Sequence, residues 1–400
     1  MNIALKKISL INLLFYQMVI IVIAFADYKY LNIISVLLGF GACLLTFFME
    51  KKINFNLIKF SFFKMIFLAW CFLSILWSVN PSNSLYFSIS IIMRLLASIA
   101  VITYVYNYQS YVSFIKVLVV AVVILCIRLL IHVPLSEFGN SRIGNYLAHD
   151  ADSSYGNTQL TYVFGCTIAI LLFDENKTIK NRFLKYLLIF IFTVFSLLSG
   201  SKKQIFFLVI SIFTFVFIKV DKPLVLIRNL IISIGLLAVG YILLTQVDVL
   251  YNSVGYRIEN FFNVFSDSKT TDISTQNRLL FLAEAKRVFL IRPFLGVGVD
   301  GFRFENSILN AWAENNFMEI LADLGVIGFI LYYIPFIFII WYLTSHKKML
   351  TKGTIAQIVN LMLIILFIDF TMVSYRNLIL QFFLAFLFAL STSKKEEDNS

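Results

Sequence analysis

The chain has 400 residues, of which 60% are hydrophobic and only 14% charged, with 43 Phe among them, and its mean hydropathy is +0.88. No water-soluble globular domain hides that much apolar surface in one core, so the composition excludes a soluble enzyme and specifies a polytopic membrane protein. The net charge of +11 would point a soluble chain towards nucleic acid; in a membrane protein the position of each Lys and Arg is a topology signal, and no nucleic-acid partner is expected.

A helix needs about 20 mostly apolar residues to cross the hydrocarbon of a bilayer. The apolar runs are continuous rather than alternating, which argues for helices and against a membrane barrel. The expected fold class is all-α, a helical transmembrane protein with about twelve spans. The runs lie near 8–26, 31–49, 61–78, 85–105, 112–131 and 158–173, then near 184–198, 204–219, 224–245, 317–342, 354–373 and 376–392. The first is followed by Asp27 and Lys29 rather than by a small-residue cleavage site, and reads as a membrane helix instead of a cleaved signal. Cys43, Cys71, Cys126 and Cys166 sit in or beside apolar runs without CxxC spacing. They read as small apolar filler and support neither a disulfide framework nor a zinc site.

The chain thus divides into nine spans over 1–245, a large loop over 246–314, three spans over 315–392 and a charged tail over 393–400. An even count puts both termini on one face. Lys6 with Lys7, Lys51 with Lys52, the loop of Lys177, Lys180, Arg182 and Lys185, Lys219 with Lys222, Lys347 with Lys348, and Lys394 with Lys395 share that face. The positive-inside rule makes it the cytoplasmic face, with the loop over 246–314 outside. Lys202 and Lys203, in SGSKKQIFFLVI, break the rule on the outer face. Either they snorkel to headgroups or they face a cavity and mark function. Arg94 and Lys64 fall inside predicted spans and are further candidates for lining a cavity.

The outer loop is the one long segment too polar for lipid, and it carries a basic block of Arg278, Lys286, Arg287, Arg292 and Arg303. NRLLFLAEAKRVFLIR, from Asn277 to Arg292, predicts a short helix that Pro293 ends. It suits the membrane surface, where its basic residues meet either anionic headgroups or a substrate. Gly296, Gly298 and Gly301 lack the flanking strand and helix of a dinucleotide fingerprint and read as turn makers. The next helix starts near Glu314, with Asn315 and Asn316 as caps and Glu319 and Asp323 on one face. Carboxylates early in a helix also suit its dipole, which leaves a structural reading of Glu314 and Glu319 open. In the functional reading, the cations bind an anionic lipid head such as a diphosphate and a nearby carboxylate takes a proton from an attacking hydroxyl.

SGSKKQ at 199–204, NRLLFLAEAKRVFLIRPFLGVGVDGF at 277–302 and ENNFMEILADLGVIG at 314–328 resemble, in that order, motifs of the O-antigen polymerase and O-antigen ligase superfamily of envelope glycan assembly. The first looks like the family's outer-face SGSR-type motif, the second like its arginine, amphipathic segment and P-x-L-G-x-G turn, and the third like its H-N-x-Y-L-E-x-L-x-x-x-G-x-x-G helix start. Two positions depart from the pattern. Lys202 stands where the family often has Arg, which keeps the charge but loses the bidentate fork, and Glu314 stands where it often has His.

The resemblance implies a multipass glycosyltransferase that polymerises repeat units of a surface polysaccharide, whether O-antigen, capsule or exopolysaccharide. Donor and acceptor would be undecaprenyl diphosphate-linked oligosaccharides, with undecaprenyl diphosphate leaving. Lys202, Lys203, Arg278 and Arg292 would neutralise the diphosphate. Glu314 or Glu319 would be the base, Arg257 and Arg303 would hold sugar or phosphate, and Asn315 would help bind substrate. No cofactor or metal is expected; the implied partners are membrane lipid, a chain-length regulator and a flippase. The nearest rival is a ligase of the same superfamily. A transporter or flippase for the same lipids is the rival of another class, and it predicts charges spread through many spans rather than the few at Arg94, Arg128 and Asp369.

Overall fold

The computed structural model describes residues 2–50, 55–107, 111–138, 143–147, 157–175, 178–218, 223–256, 273–347 and 350–392. Among them run thirteen helices of fifteen residues or more: α1 (Asn2–Ala24), α2 (Lys29–Glu50), α3 (Phe55–Leu73), α4 (Pro81–Asn107), α5 (Tyr111–His132), α6 (Asn157–Leu172), α7 (Arg182–Leu198), α8 (Lys203–Ile218), α9 (Pro223–Gln246), α10 (Ile273–Ile291), α11 (Asn316–Ser345), α12 (Lys352–Thr371) and α13 (Leu378–Thr392). Each predicted span falls on one of them. Seven, α2 to α5, α9, α11 and α12, are long and apolar enough to cross a membrane. Apolar helical runs in α1, α6, α8 and α13 are shorter. The fifteen residues of α13 rise about 22 Å, less than the roughly 30 Å hydrocarbon thickness.

That shortness positions the site. α6, α8 and α13 start at Asn157, Lys203 and Leu378, each just after a polar segment, and α13 runs through the middle of the bundle with Ile379–Thr392 buried. α13 packs on α4 and α12, and α12 also packs on α6 and α8. Phenylalanines fill the gaps, as where Phe114 of α5 stacks on Phe386 of α13 with centroids 4.3 Å apart. α9 lies at the edge with Leu224, Ile231 and Ile234 exposed, as expected of a helix facing lipid.

α11 is broken at Gly325, where φ is 68° and ψ −173°. The break frees carbonyls at its end of the first segment, and the loop after α10 takes them. Val297 N donates to Ala322 O at 3.0 Å and Gly298 N to Asp323 O at 2.8 Å, while Trp70 Nε1 of α3 donates to Leu324 O at 3.1 Å. In return Val326 N donates to Pro293 O at 2.8 Å. No side chain fits between the two strands of backbone: a Cβ on Gly325 would lie 2.1 Å from Phe294 O, and one on Gly296 2.4 Å from the Asp323 backbone. The P-x-L-G-x-G turn and the helix start with its glycine are therefore one interlock. Gly296 and Gly298 have positive φ as turn makers should, whereas Gly301 does not; there a Cβ would meet Val297 O at 2.6 Å, so close approach excludes a side chain.

α10 begins four residues before the predicted Asn277, at Ile273, and ends at Ile291 because Pro293 disfavours helical conformation at the residue before it. It buries Phe281, Ala285 and Val288 against Val297, Phe302, Ala313 and Ala322 in a small core of its own. Leu279, Leu280, Leu290 and Ile291 stay exposed.

Candidate active site

Four helix ends converge. At the start of α8, Lys203 is buried and its Nζ donates to Thr371 O at the end of α12, 3.1 Å away. Asn315 caps α11 by accepting from Met318 N at 2.9 Å, and its Nδ2 donates to Phe370 O at 2.9 Å. The two exposed carbonyls at the end of α12 thus fix both the lysine and the cap. Glu314, one residue earlier, has φ 50°, a left-handed conformation that a non-glycine residue adopts only when its surroundings hold it there. It turns its carboxylate to α10, where Arg278 Nε donates to Glu314 Oε2 at 2.5 Å. Lys203 and Asn315 bond neighbouring carbonyls, which sets the lysine beside Glu314 and its partner Arg278. Two cations and one carboxylate from three separate elements thus share one place.

The Arg278–Glu314 pair is open, with side chains 47% and 45% exposed. A pair in that setting is worth about 0–1 kcal/mol, so Arg278 can exchange Glu314 for a phosphate at little cost. Lys202 is half-buried at the turn before α8. Arg292 is exposed just after α10 and approaches Trp77 O at 3.5 Å.

Arg303 belongs to a second, buried cluster. Asp300, also left-handed at φ 56°, accepts from Asn83 Nδ2 at 2.5 Å and from Trp312 Nε1 at 2.8 Å. It pairs with Arg303 Nε at 2.8 Å and with Arg376 Nη1 from the link between α12 and α13. Asp323 holds the same turn from below, accepting from Asp300 N at 3.1 Å, Phe302 N at 2.8 Å and the Tyr375 hydroxyl at 2.9 Å. Burial alone would lower Arg376, but Tyr375, Glu319, Asp300 and Asp323 around it raise it above its ordinary value, so it keeps its charge. Glu319 is fully buried and accepts from Ala313 N at 2.7 Å. That contact ties down the strand leading to Glu314, a positioning task rather than direct reach to a substrate. Outside these clusters, Glu284 is held below its usual range mainly by its hydrogen bond from Arg287, with Ser307 adding to it.

The structure therefore brings Lys203, Arg278, Glu314 and Asn315 together and puts Arg303 and Glu319 in the adjoining scaffold. Arg257 lies outside the described residues, as do Lys51, Lys52, Lys177, Lys219, Lys222 and the tail over 393–400. Sequence reasoning missed Asn83, Asp300, Trp312 and Arg376. A signal existed for the last, since Arg376 in SYRN is a charge in a link of six residues between two apolar helices. Among the described residues no group of three His, Cys, Asp or Glu could hold a metal ion.

A comparison with curated proteins finds no match to the chain. Residues 187–333, from α7 to the middle of α11 and including Lys203, Arg278 and Glu314, match the family model described as O-Antigen ligase.

Proposed function

We propose that the protein is a repeat-unit polymerase of a surface polysaccharide, moving a growing glycan from undecaprenyl diphosphate to a new lipid-linked unit. The observation that carries this reading is the junction of Lys203, Arg278 and Glu314 within the matched segment. The acceptor hydroxyl attacks the anomeric carbon of the donor, a C–O bond forms to the acceptor, and the bond from that carbon to the phosphate oxygen breaks. Glu314 takes the hydroxyl proton. Arg278 leaves Glu314 for the diphosphate, and Lys203, with Lys202 and Arg292 nearby, helps to balance the charge that builds on the departing oxygen. Donors aimed at such charge are worth roughly 2.7–4 kcal/mol each. The site faces outward, with both termini in the cytoplasm. A chain-length regulator and a flippase are its expected partners.

A ligase, which moves finished glycan to a lipid or protein acceptor, is favoured to the same degree by the description of the matched family. It would use the same three residues. The glycan size profile of a deletion strain, complemented with the intact chain or with Arg278→Ala at equal expression, separates the readings. Collapse to single repeat units that the variant fails to rescue supports the polymerase. Full-length glycan left on its lipid carrier supports the ligase. Unchanged glycan in both respects overturns the proposal.

A further inference from the structure

A cavity of about 450 Å³ opens between the α1–α2 link, α4, the start of α6 and the start of α13. Its wall includes the apolar Ile33, Val36, Met93 and Ile379, but polar side chains also line it, among them Arg94, Arg376, Gln159 and Asn32. Arg376 has a carboxylate partner in Asp300. Arg94 has none among the described residues; its Nε donates to the Arg376 carbonyl. Arg94 is thirteen residues into α4, about 20 Å along the helix axis. A guanidinium that far into an apolar helix without an anion is costly and marks a ligand or a pathway.

The amides make the complementary demand. Gln159 is nine-tenths buried, and among the described residues its Oε1 has no hydrogen-bond partner; the Asn32 Oδ1 is likewise without one there. Both are acceptors, so each lacks a donor. Gln159 stands in the first turn of α6, and Leu378 starts α13, so two helix N-termini add positive potential. A ligand that satisfies all of this carries a phosphate for Arg94, hydroxyls for the two amide oxygens and a hydrocarbon chain for the aliphatic wall. Two sources offer that chemistry, a lipid-linked saccharide and a hydroxylated phospholipid such as phosphatidylglycerol.

The cavity also reaches the cluster beside the proposed reaction centre: Arg376, in its wall, pairs with Asp300, and Asp300 N donates to Asp323 of α11. We propose that the cavity is a second substrate subsite, which takes the phosphate and first sugar of the lipid-linked acceptor while the diphosphate of the donor lies at Lys203 and Arg278. This rests on the glycan-transferase reading above.

The test uses the full chain in phosphatidylcholine nanodiscs, titrated with a polyprenyl-diphosphate-linked hexose and read by native mass spectrometry. The intact protein should hold two copies of the probe. Arg94→Gln and Gln159→Leu should hold one, with affinity at the second site reduced about 10- to 100-fold for the arginine change, the range for a lost charge-assisted hydrogen bond. Ser90→Trp, which fills the cavity without removing a charge, should also hold one, and guards against a folding defect in Arg94→Gln. Phosphatidylglycerol should leave the second copy bound. Displacement by phosphatidylglycerol would assign the cavity to ordinary lipid and overturn the subsite, as would two copies retained by all three variants. Transfer assayed on Arg278→Ala keeps the two ideas apart. Full activity there defeats the functional reading, whereas lost activity there with two probes on all three cavity variants defeats the subsite alone.

Discussion

Gly325→Ala should uncouple the outer loop from α11. The Gly325 backbone, at φ 68° and ψ −173°, lies in a region open essentially to glycine alone, where any other residue costs about 1–3 kcal/mol. The new Cβ would stand 2.1 Å from Phe294 O and 2.3 Å from Phe294 C, both backbone atoms that no rotamer change moves. Relief requires the loop to withdraw by about an ångström, which breaks the bonds from Val326 N to Pro293 O and from Gly298 N to Asp323 O, each worth about 1 kcal/mol. The sum is about 3–5 kcal/mol, a large share of the stability of an ordinary domain. Thermal unfolding of purified protein should show a clear drop, and transfer activity should fall with it because Glu314 and Arg278 sit on the two halves of the interlock. Gly240→Ala in α9, where a Cβ meets nothing within 4 Å, is the control and should leave both unchanged. Gly296→Ala breaks the same interlock from the other side, so the double variant should be little worse than the poorer single one. Unfolding and activity at intact levels in Gly325→Ala would refute the reasoning.

Lys203→Met should lower the transfer rate about 100-fold with little change in binding of the acceptor, and Lys203→Arg should recover part of it; single-turnover kinetics check both. Glu314→Gln should depress the rate while protein stability stays near wild type, whereas Glu319→Gln should lower the unfolding temperature, since only the second carboxylate is buried on a backbone N–H. Removing one partner of the buried Arg128–Asp27 pair, two contacts of 2.9 Å, by Asp27→Asn should destabilise by about 3–5 kcal/mol without altering substrate affinity. Glu284 is held below its usual value by Arg287, so its contribution is present above its ordinary pKa of 4.5 and is lost as pH falls through the depressed value. Glu284→Gln should therefore cost under about 1 kcal/mol at neutral pH and nothing in strong acid, as unfolding temperatures across pH will show.

Much of the fold was legible because lipid imposes long apolar runs, and each predicted run is a helix here. The short ones were less so. Nothing in SGSKKQ or VSYRN says how deep α8 or α13 starts, because that depends on neighbours far away in sequence. The motif order led to Lys203, Arg278 and Glu314, which three elements bring together. The role of the glycines was legible only in half. A turn can be read from Gly296 and Gly298, but the break at Gly325 that receives it is a long-range contact. The same applies to Asp300, whose partners Asn83 and Arg376 lie 217 and 76 residues away.

The charges that sequence alone placed inside spans bear on the rival transporter reading. Arg128 is pinned to Asp27. Lys64 donates to Gln381 Oε1 at 2.7 Å, and Gln381 donates in turn to the Tyr332 hydroxyl at 3.0 Å. Asp369 accepts from the Tyr333 hydroxyl at 2.9 Å and from Ser374. Asn316 joins this network to the site, donating to Tyr333 at 3.1 Å while accepting from Ser374 N and Tyr375 N. These bonds tie α3, α11, α12 and α13 into one block through contacts that are expensive to break in a low-dielectric interior. Alternating access rocks one part of a bundle against another, and here it would have to part several of them in every cycle. A fixed scaffold that holds Asn315 and Glu314 at the edge of the bundle suits a transferase better. Arg94 is the exception: it lines a cavity, and its Nε donates to the carbonyl of Arg376, the partner of Asp300.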